Sequence, residues 1–513
     1  MEKYYLPSDV RKADENAASY GLPTVVLMEN AAKAAAHLAV EMAGGTNGRF
    51  VILAGRGNNG GDGFAAARHL LILGVSSVTI LKTAPDEKYG GDAATNLAVL
   101  RALADPRVEI LDTPNIYADE DIYALICGAS CVMDGLLGTG THGAPRGEAA
   151  RIIKLLEGTE HILALDIPSG IDPESGVVYD PCVKAEATAT FLVPKLGMAF
   201  EPAADVCGKI VTADIGMIPD KILPSRAALN VLDKSDLQAM LPRISRDIHK
   251  TMRGNLMIFG GSFEYRGAPL LAARGALRAG GGLVFAAVPD FIAPYMAQTL
   301  PEVIPLPLPT KDGEIDGEAA FSVISEWLPK CTAVAAGPGC GRGAGAEYIF
   351  EKLWNECHLP MLLDADMLWF FAKHKDSLTP RDNVILTPHS AEAGRILGLG
   401  AEEVNTTRAK SAAALAEKTG FALLKGQRTL IASRDNGMMM INAGSPALAI
   451  PGSGDVLSGV VGAFIASGMA VDNAAAVGAL AHAIAGEYLE ERIGLRGSLA
   501  REIADEIPAV LRG

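Results

Sequence analysis

Long apolar runs, paired cysteines and an excess of basic charge are all missing from this 513-residue chain. No stretch of about 18 apolar residues occurs, the length a helix needs to cross a bilayer, so no membrane span is expected. The segment MEKYYLPSDVRKADENA has no apolar centre and does not read as a signal peptide. Lys+Arg number 45 against 60 Asp+Glu, a formal net charge of −15. That balance argues against a nucleic-acid partner and against an anionic membrane surface. A phosphate-bearing ligand must then be held by local donors rather than by the overall field. The cysteines, at 127, 131, 182, 207, 331, 340 and 357, are odd in number and show no zinc spacing with histidines. Cys127 and Cys131 read as buried small residues, and a reducing cytoplasm fits.

What is present is apolar content of 49% with 20% charged residues, a composition suited to well-buried α/β cores. The chain is organised around Arg49 to Leu73. Phe50 to Ala54 has the length of a buried parallel strand. Gly55, Gly57, Gly60, Gly61 and Gly63 follow, then Phe64, Ala67, Leu70 and Leu71 at helical spacing. Such a turn lets backbone approach a ligand and places N–H groups at a helix N-terminus, where anions are favoured. An ordinary dinucleotide-binding unit wants an acid at the end of the next strand. That strand, Val78 to Leu81, ends in Lys82 and Thr83. Asn58, Asn59, Gly60, Gly61 and Asp62 form a polar cluster that a simple turn does not need.

The β-α alternation continues through Val108–Leu111, Cys131–Met133, Ile162–Leu165 and Ala189–Leu192, predicting a Rossmann-like doubly wound sheet. Helices are predicted from Ser8, read as a cap, to Ala18 and from Met28 to Met42. Ligands in such sheets bind beyond the carboxyl ends of the strands. Asn58–Asp62, Asp134–Gly143 and Asp166–Gly170 all fall there. Each alone reads equally as a capping turn. Three carboxylates on one sheet edge, with amide and hydroxyl oxygens, suit a hard cation.

NNGGDG, preceded by LPTVVLMENAA and followed by DGLLGTG and LDIPSG, resembles the NAD(P)H-hydrate epimerase family over roughly the first two fifths of the chain. The remainder resembles the ribokinase-like, ADP-dependent NAD(P)H-hydrate dehydratases. Together they resemble the bifunctional nicotinamide-nucleotide repair enzymes of bacteria and archaea. The resemblance implies an epimerase domain at 1–220 and an α/β dehydratase domain at 221–513. It implies potassium at Asn59, Asp134 and Ser169. It puts the hydrated dinucleotide on Asn58–Asp62, on Gly138, Thr139, Gly140, Thr141, His142, Gly143 and Ala144, and on Asp166. Asp166 is the candidate for proton transfer, because inverting the hydroxyl-bearing C6 needs ring opening or loss and return of water. Lys195, in VPKLG, also matches a family motif and reads equally as structural.

Pro219 to Asn230 reads as a linker, and Val231 to Pro242 as a helix opening the second unit. GGSFEYRGAP, at 260–269, is close to the dehydratase pattern, with a helix predicted over Leu270–Ala279. The resemblance places Ala268 and Gly339 on substrate, with Asp455 reaching its hydroxyl. His389 follows a strand at the ligand edge and reads either as a donor to substrate oxygens or as structural. Lys425, Gly426, Gln427, Arg428 and Thr429 form a plausible nucleotide-phosphate site. Asp364 and Asp366, at a strand end, read either as functional groups or as helix caps. Gly452 and Gly454, before a helix predicted from Val456, would form an anion hole beside Asp455 as catalytic base. The chain departs from the family at His249-Lys250-Thr251, where H-K-G is usual, and at Ser390-Ala391, where P-G is usual. It also departs at Ile450–Asp455, IPGSGD for TGGTGD, and in the preceding Asn442–Ala447 segment.

The implied function is epimerisation of R and S hydrates of NADH or NADPH, with dehydration of the S form at the expense of ADP. Mg²⁺ would bridge the nucleotide phosphates. Partners are small molecules, and a cytoplasmic homo-oligomer is expected. Two other readings stay open: a small-molecule kinase in the second half, and a non-catalytic binding module, as relatives of the epimerase fold occur in mRNA-decapping scaffolds.

Overall fold

The computed structural model describes residues 1–116, 118–242 and 253–512; the His249-Lys250-Thr251 departure lies outside them. The chain divides into two compact units, one of residues 3–229 and one of residues 1–2 with 230–513.

In the first unit seven strands align in the order Val108–Asp112, Ser77–Lys82, Arg49–Ala54, Cys131–Gly135, Ile162–Leu165, Ala187–Phe191 and Lys209–Ala213. Every neighbouring pair is parallel. The strands are apolar because both faces are covered. Phe50, Ile52 and Ala54 pack with Ala32, Phe64 and Leu70 on one face, while Val51 and Leu53 pack with Ile122, Ile126 and Ile152 on the other. Strand order reverses between Arg49–Ala54 and Cys131–Gly135. The turns after those two strands therefore diverge and leave a crevice at their carboxyl ends.

The helix predicted from Ser8 begins at Pro7, with Leu6 as its N-cap. Proline's fixed φ suits the first helical position, so Ser8 is inside the helix and does not cap it. The second helix starts a turn early, at Thr24. The stretch predicted as a linker contains a short helix, Pro219–Ile222, and buries Leu223 and Ala227. Val231 to Pro242 is no single helix. It opens with the strand Leu229–Leu232, which buries Leu229, Val231 and Leu232, and only Leu237–Met240 is α-helical. Cys127 is exposed, contrary to expectation, whereas Cys131 is buried; all seven cysteines are free.

The second unit holds an 11-stranded sheet. Its middle runs Gly420–Leu424, Val384–Leu386, Met361–Leu363, Ala333–Ala336, Asn255–Phe259, Leu283–Pro289 and Ile304–Leu308, all parallel. Leu430–Ser433 and Gly437–Ile441 extend it antiparallel. Beyond them lie Leu229–Leu232 and the N-terminal strand Glu2–Tyr4. No described helix is long and apolar enough to cross a membrane.

Ala268 and Asp455 are carried by two helices, Ala268–Arg278 and Ser453–Ala466. The latter begins three residues before the predicted Val456, because Gly452, at φ 87°, turns the chain into it. Their backbones touch through glycines. A Cβ on Gly459 would stand 1.8 Å from the Ala272 carbonyl oxygen, and one on Gly275 would stand 2.5 Å from that of Val456. Gly459→Ala must push the helices apart, and overpacking of this kind costs on the order of 3 kcal/mol. Equilibrium unfolding of the second unit checks this; a variant as stable as the parent would mean that the helices separate freely.

Two candidate active sites at the sheet edges

In the first unit Asp134 ends its strand fully buried. Its carboxylate accepts from Ser169 N at 2.8 Å, Ser169 Oγ at 2.7 Å and Leu136 N at 3.1 Å. Burial pushes its pKa up to about 6 in spite of those three bonds. Ser169 Oγ also accepts from Leu137 N at 2.9 Å, and Asn59 Nδ2 donates to Leu137 O at 2.8 Å. Asn59, Asp134 and Ser169 are thus gathered around one turn. Asn59 Oδ1 is buried with no hydrogen-bond partner. An orphaned oxygen beside a buried carboxylate fits a cation ligand set.

Beside this cluster opens a cavity of about 720 Å³. Asn58, Asn59, Asp62, Gly138, Thr139, Gly140, Thr141 and Asp166 line it; His142, Gly143 and Ala144 continue the loop away from its wall. Gly60 and Gly61 are buried, and their N–H groups donate to Gly57 O. Crowding accounts for the glycines. A Cβ on Gly55 would stand 1.8 Å from Leu136 O, and one on Gly60 would stand 1.9 Å from Gly55 O. Gly55 and Gly60 thus serve backbone packing, Gly57 has open space around it, and the Gly60 and Gly61 amides already donate to Gly57 O. Asp62 is buried, and its carboxyl is raised well above the usual range by burial, then by the charges of Asp166 and Asp14.

Asp166 adopts φ 65°, outside the usual region for a side chain with a Cβ. Its carboxylate accepts from Phe191 N at 3.2 Å and forms an ion pair with Lys195. Lys195 is completely buried and also donates to Thr190 Oγ1 and Phe191 O, both at 3.0 Å. The lysine that read equally as structural or functional in VPKLG is therefore what anchors Asp166. Sequence reasoning missed Arg11, Asp14, Thr24, Arg56 and Asp92, which also line the cavity. They come from segments far apart in the chain, and no local pattern marks them.

In the second unit Asp455 stands in the first turn of the helix Ser453–Ala466. Burial, then the charge of Asp364, push its pKa up to about 7, with Lys425 opposing. Asp364 accepts from Lys425 Nζ at 2.7 Å and from Ser458 Oγ at 2.7 Å. Burial works to raise Asp364, but Lys425 and these bonds prevail and hold it below the usual range. A Cβ on Gly454 would lie 3.5 Å from Lys425 Nζ. Lys425, Gly454, Asp364 and Asp455 thus meet at the positive end of a helix. Asp366 is tied elsewhere, to Gly341 N and Arg342 Nε.

Gly339, at φ 61°, packs on the GGSFEYRGAP turn, where its Cβ would come within 3.0 Å of Ala268 Cβ. His389 is exposed and caps the helix Ser390–Leu397, its Nδ1 accepting from Ala391 N at 3.2 Å. Gly426 packs on Arg408, which donates to Leu424 O at 3.2 Å, and Thr429 Oγ1 donates to Gly426 O at 3.0 Å. Gln427 is exposed, and Arg428 is half-buried at φ 53°. Arg408, Ser458 and His482 carried no sequence signal. Elsewhere, Glu347, Glu351 and His374 approach one another, but Lys373 and His374 already pair with Glu347.

Residues 256–509 match the family model described as NAD(P)H-hydrate dehydratase, and residues 24–197 that of the YjeF-related protein N-terminus. A ribokinase-like superfamily protein from Enterococcus faecalis shares the second unit's fold, with a TM-score of 0.50, 21% identity and coverage of 56% of this chain and 96% of that one. The chain is thus a fusion of a doubly wound parallel unit with a second α/β unit of that protein's fold, each gathering carboxylates at the carboxyl edge of its sheet. It is 38% identical over 518 residues to the bifunctional NAD(P)H-hydrate repair enzyme Nnr of Thermanaerovibrio acidaminovorans, covering 99% of this chain and 98% of that one. To the enzyme of the same name from Moorella thermoacetica it is 35% identical, covering 98% and 96%. The chain belongs to the bifunctional NAD(P)H-hydrate repair enzyme family.

Removing Lys195 would strand Asp166 in a buried setting. Lys195→Met is expected to cost about 3–5 kcal/mol, and removing both charges in Lys195→Met/Asp166→Asn to recover most of it. Unfolding of the single and double variants checks this; equal losses in both would show that the ion pair carries no such load.

Proposed function

We propose that the first unit interconverts the R and S hydrates of NADH and NADPH, and that the second dehydrates the S form with ADP, giving AMP and phosphate. The observation that carries this is that each unit holds a carboxylate, Asp166 or Asp455, at its sheet's carboxyl edge with a lysine beside it. In the first unit Asp166 moves the proton that departure and return of the C6 hydroxyl require. Asn58, Asp62 and the Gly138–Thr141 wall orient the dinucleotide. Asn59, Asp134 and Ser169 would hold potassium, which supplies charge to balance the buried Asp134. In the second unit, Ala268, Gly339 and His389 are assigned to substrate and the Lys425–Thr429 loop to nucleotide.

The hydroxyl oxygen of the S hydrate attacks the terminal phosphorus of ADP while Asp455 accepts its proton. Gly452 and Gly454 support the transferred group at the helix N-terminus. AMP leaves with the oxygen that bridged the two phosphorus atoms. The phosphorylated C6 oxygen then departs as phosphate, pushed by the ring nitrogen's lone pair. The iminium loses a proton from C5, so that C5=C6 forms and the pair returns to nitrogen. Both Asp364 oxygens are engaged by Lys425 and Ser458, so Mg²⁺ would be held chiefly by the nucleotide's own phosphates. A homo-oligomer in the cytoplasm is proposed; seven free cysteines fit a reducing compartment. Full-length kinship to repair enzymes disfavours the kinase reading, and two furnished sites disfavour a binding module.

The test supplies mixed hydrate epimers with and without ADP and follows recovery of reduced-cofactor absorbance. Asp166→Asn should abolish R-to-S conversion and leave S dehydration intact. Asp455→Asn should slow ADP-dependent dehydration by about 10²–10⁴-fold while epimerisation continues. A base must be deprotonated to act, so the parent's dehydration rate should rise as pH passes about 7. A parent that never recovers absorbance with ADP present sinks the assignment.

Exchanging potassium for choline should destabilise the first unit by about 1–3 kcal/mol, as for a ligand at 10–100 times its dissociation constant. Asp134→Asn should remove the response. Thermal unfolding in the two buffers measures it, and an indifferent parent would leave the cluster a hydrogen-bonded turn.

A further inference from the structure

The first unit's cavity contains a carboxyl with no part in the scheme above. The helix Pro7–Ser19 buries Ala13 and Ala17 and presents Asp14 to the cavity wall. Asp62 enters from the helix Asn58–Ile72 and Asp166 from the loop after Ile162–Leu165, so three separate segments bring carboxyls to one space. Asp166 has Lys195 and the Phe191 amide as partners. Among the described residues none hydrogen-bonds to or forms an ion pair with the Asp14 or Asp62 carboxyl, whose surroundings are burial and neighbouring charge. Lys195 thus pairs with only one of the three carboxyls.

Resting on the epimerase reading, we propose that Asp14 is a second proton carrier of this cavity, giving a proton to the leaving C6 hydroxyl while Asp166 receives one from the returning water. The Asp14 carboxyl protonates the hydroxyl on C6. The C6–O bond breaks, water departs, the lone pair of the ring nitrogen closes an N1=C6 iminium, and Asp14 becomes a carboxylate. Water then attacks the opposite face of C6, and the iminium π pair returns to nitrogen. The attacking oxygen loses its extra proton to Asp166. That proton passes back to Asp14, and the protein ends as it began.

The division of labour follows from the charges. Asp166 is engaged by the Lys195 ammonium and the Phe191 amide. Asp14 faces Asp166, Asp62 and Glu15, with Lys195 opposing them, and Arg11, Arg56 and Asp92 in the same wall. Burial first, then Asp166, push its pKa up to about 6. A general acid loses activity as it deprotonates, so this contribution falls as pH rises through that value.

The experiment measures R-to-S conversion by the full chain, without ADP, between about pH 5.5 and 8. In the parent, kcat/KM should decline above about pH 6. Asp14→Asn should be about 10²-fold slower at the low end, with KM nearly unchanged and the decline gone. Asp14→Glu should restore most of the rate together with a pH-dependent limb. Thermal unfolding confirms that each variant folds. A readout independent of turnover is the ¹³C resonance of the Asp14 carboxyl, which should titrate near pH 6 and be missing in Asp14→Asn. If the parent epimerises and Asp14→Asn keeps its rate and profile, the role of Asp14 is overturned and the epimerase reading stands. A resonance titrating below about pH 5 overturns it as well. If the parent interconverts no hydrate at all, the epimerase reading falls and takes this role with it.

Discussion

A carboxylate taken out of water must find compensation, and both sheets are arranged around that requirement. Solvating a buried charge with a few fixed groups costs less than leaving it bare, but only if those groups are held in place. Asp134 is compensated by two donors from Ser169 and one from Leu136. Asp166 is compensated by Lys195 and Asp364 by Lys425. Each partner arrives from a different turn at the same edge. Satisfying the charge therefore fixes how those turns lie, and with them the walls of the site.

The same requirement explains Lys82. The position where an ordinary dinucleotide unit carries an acid holds a fully buried lysine instead, paired with Asp86 and Asp112 and lying over Tyr89. The Tyr89 hydroxyl donates to Ala54 O at 3.1 Å, at the start of the glycine-rich turn. An acid there would address a ribose. The lysine ties the neighbouring strand end and the turn after it into one block. Gly138–Thr141 and Asp166 stand on the other side of the crevice.

Strands were legible because a parallel strand covered on both faces has to be an apolar run bounded by turn residues. The glycine-rich turn after Arg49–Ala54 was legible for the same local reason. What the glycines do was not. Their density suggests an open cradle, yet Gly55 and Gly60 are glycine because carbonyl oxygens of Leu136 and Gly55 occupy the space of a side chain. That reason lies partly in a segment some eighty residues away. Val231–Pro242 misled because a short buried strand and a helical turn together mimic a helical pattern. Asp14, Arg408 and His482 were hidden for a further reason: a residue's role in a cavity depends on which distant segments share it, and periodicity holds no such information. Lys195 sat between these cases. Its motif was visible, and only its depth of burial and its partner decide what it does.

The departures at Ile450–Asp455 bear on whether the second site can still receive a phosphoryl group. Replacing a flexible T-G by Ile450-Pro451 stiffens the approach to the helix, and a rigid approach helps only if it ends in the right place. Gly452 takes the left-handed turn that starts the helix, so the positive end still forms beside Asp455. Ser453 stands where a threonine is usual, and it is held by His482, whose Nε2 lies 3.2 Å from Ser453 Oγ and 3.1 Å from its carbonyl oxygen. Burial drives His482 down to about 4, so it serves as a neutral hydrogen-bonding group across the neutral range. A neutral ring adds no second cation beside Lys425. The loop has exchanged freedom for fixation, and fixation is what phosphoryl transfer draws on, since the protein supplies position and charge rather than covalent chemistry.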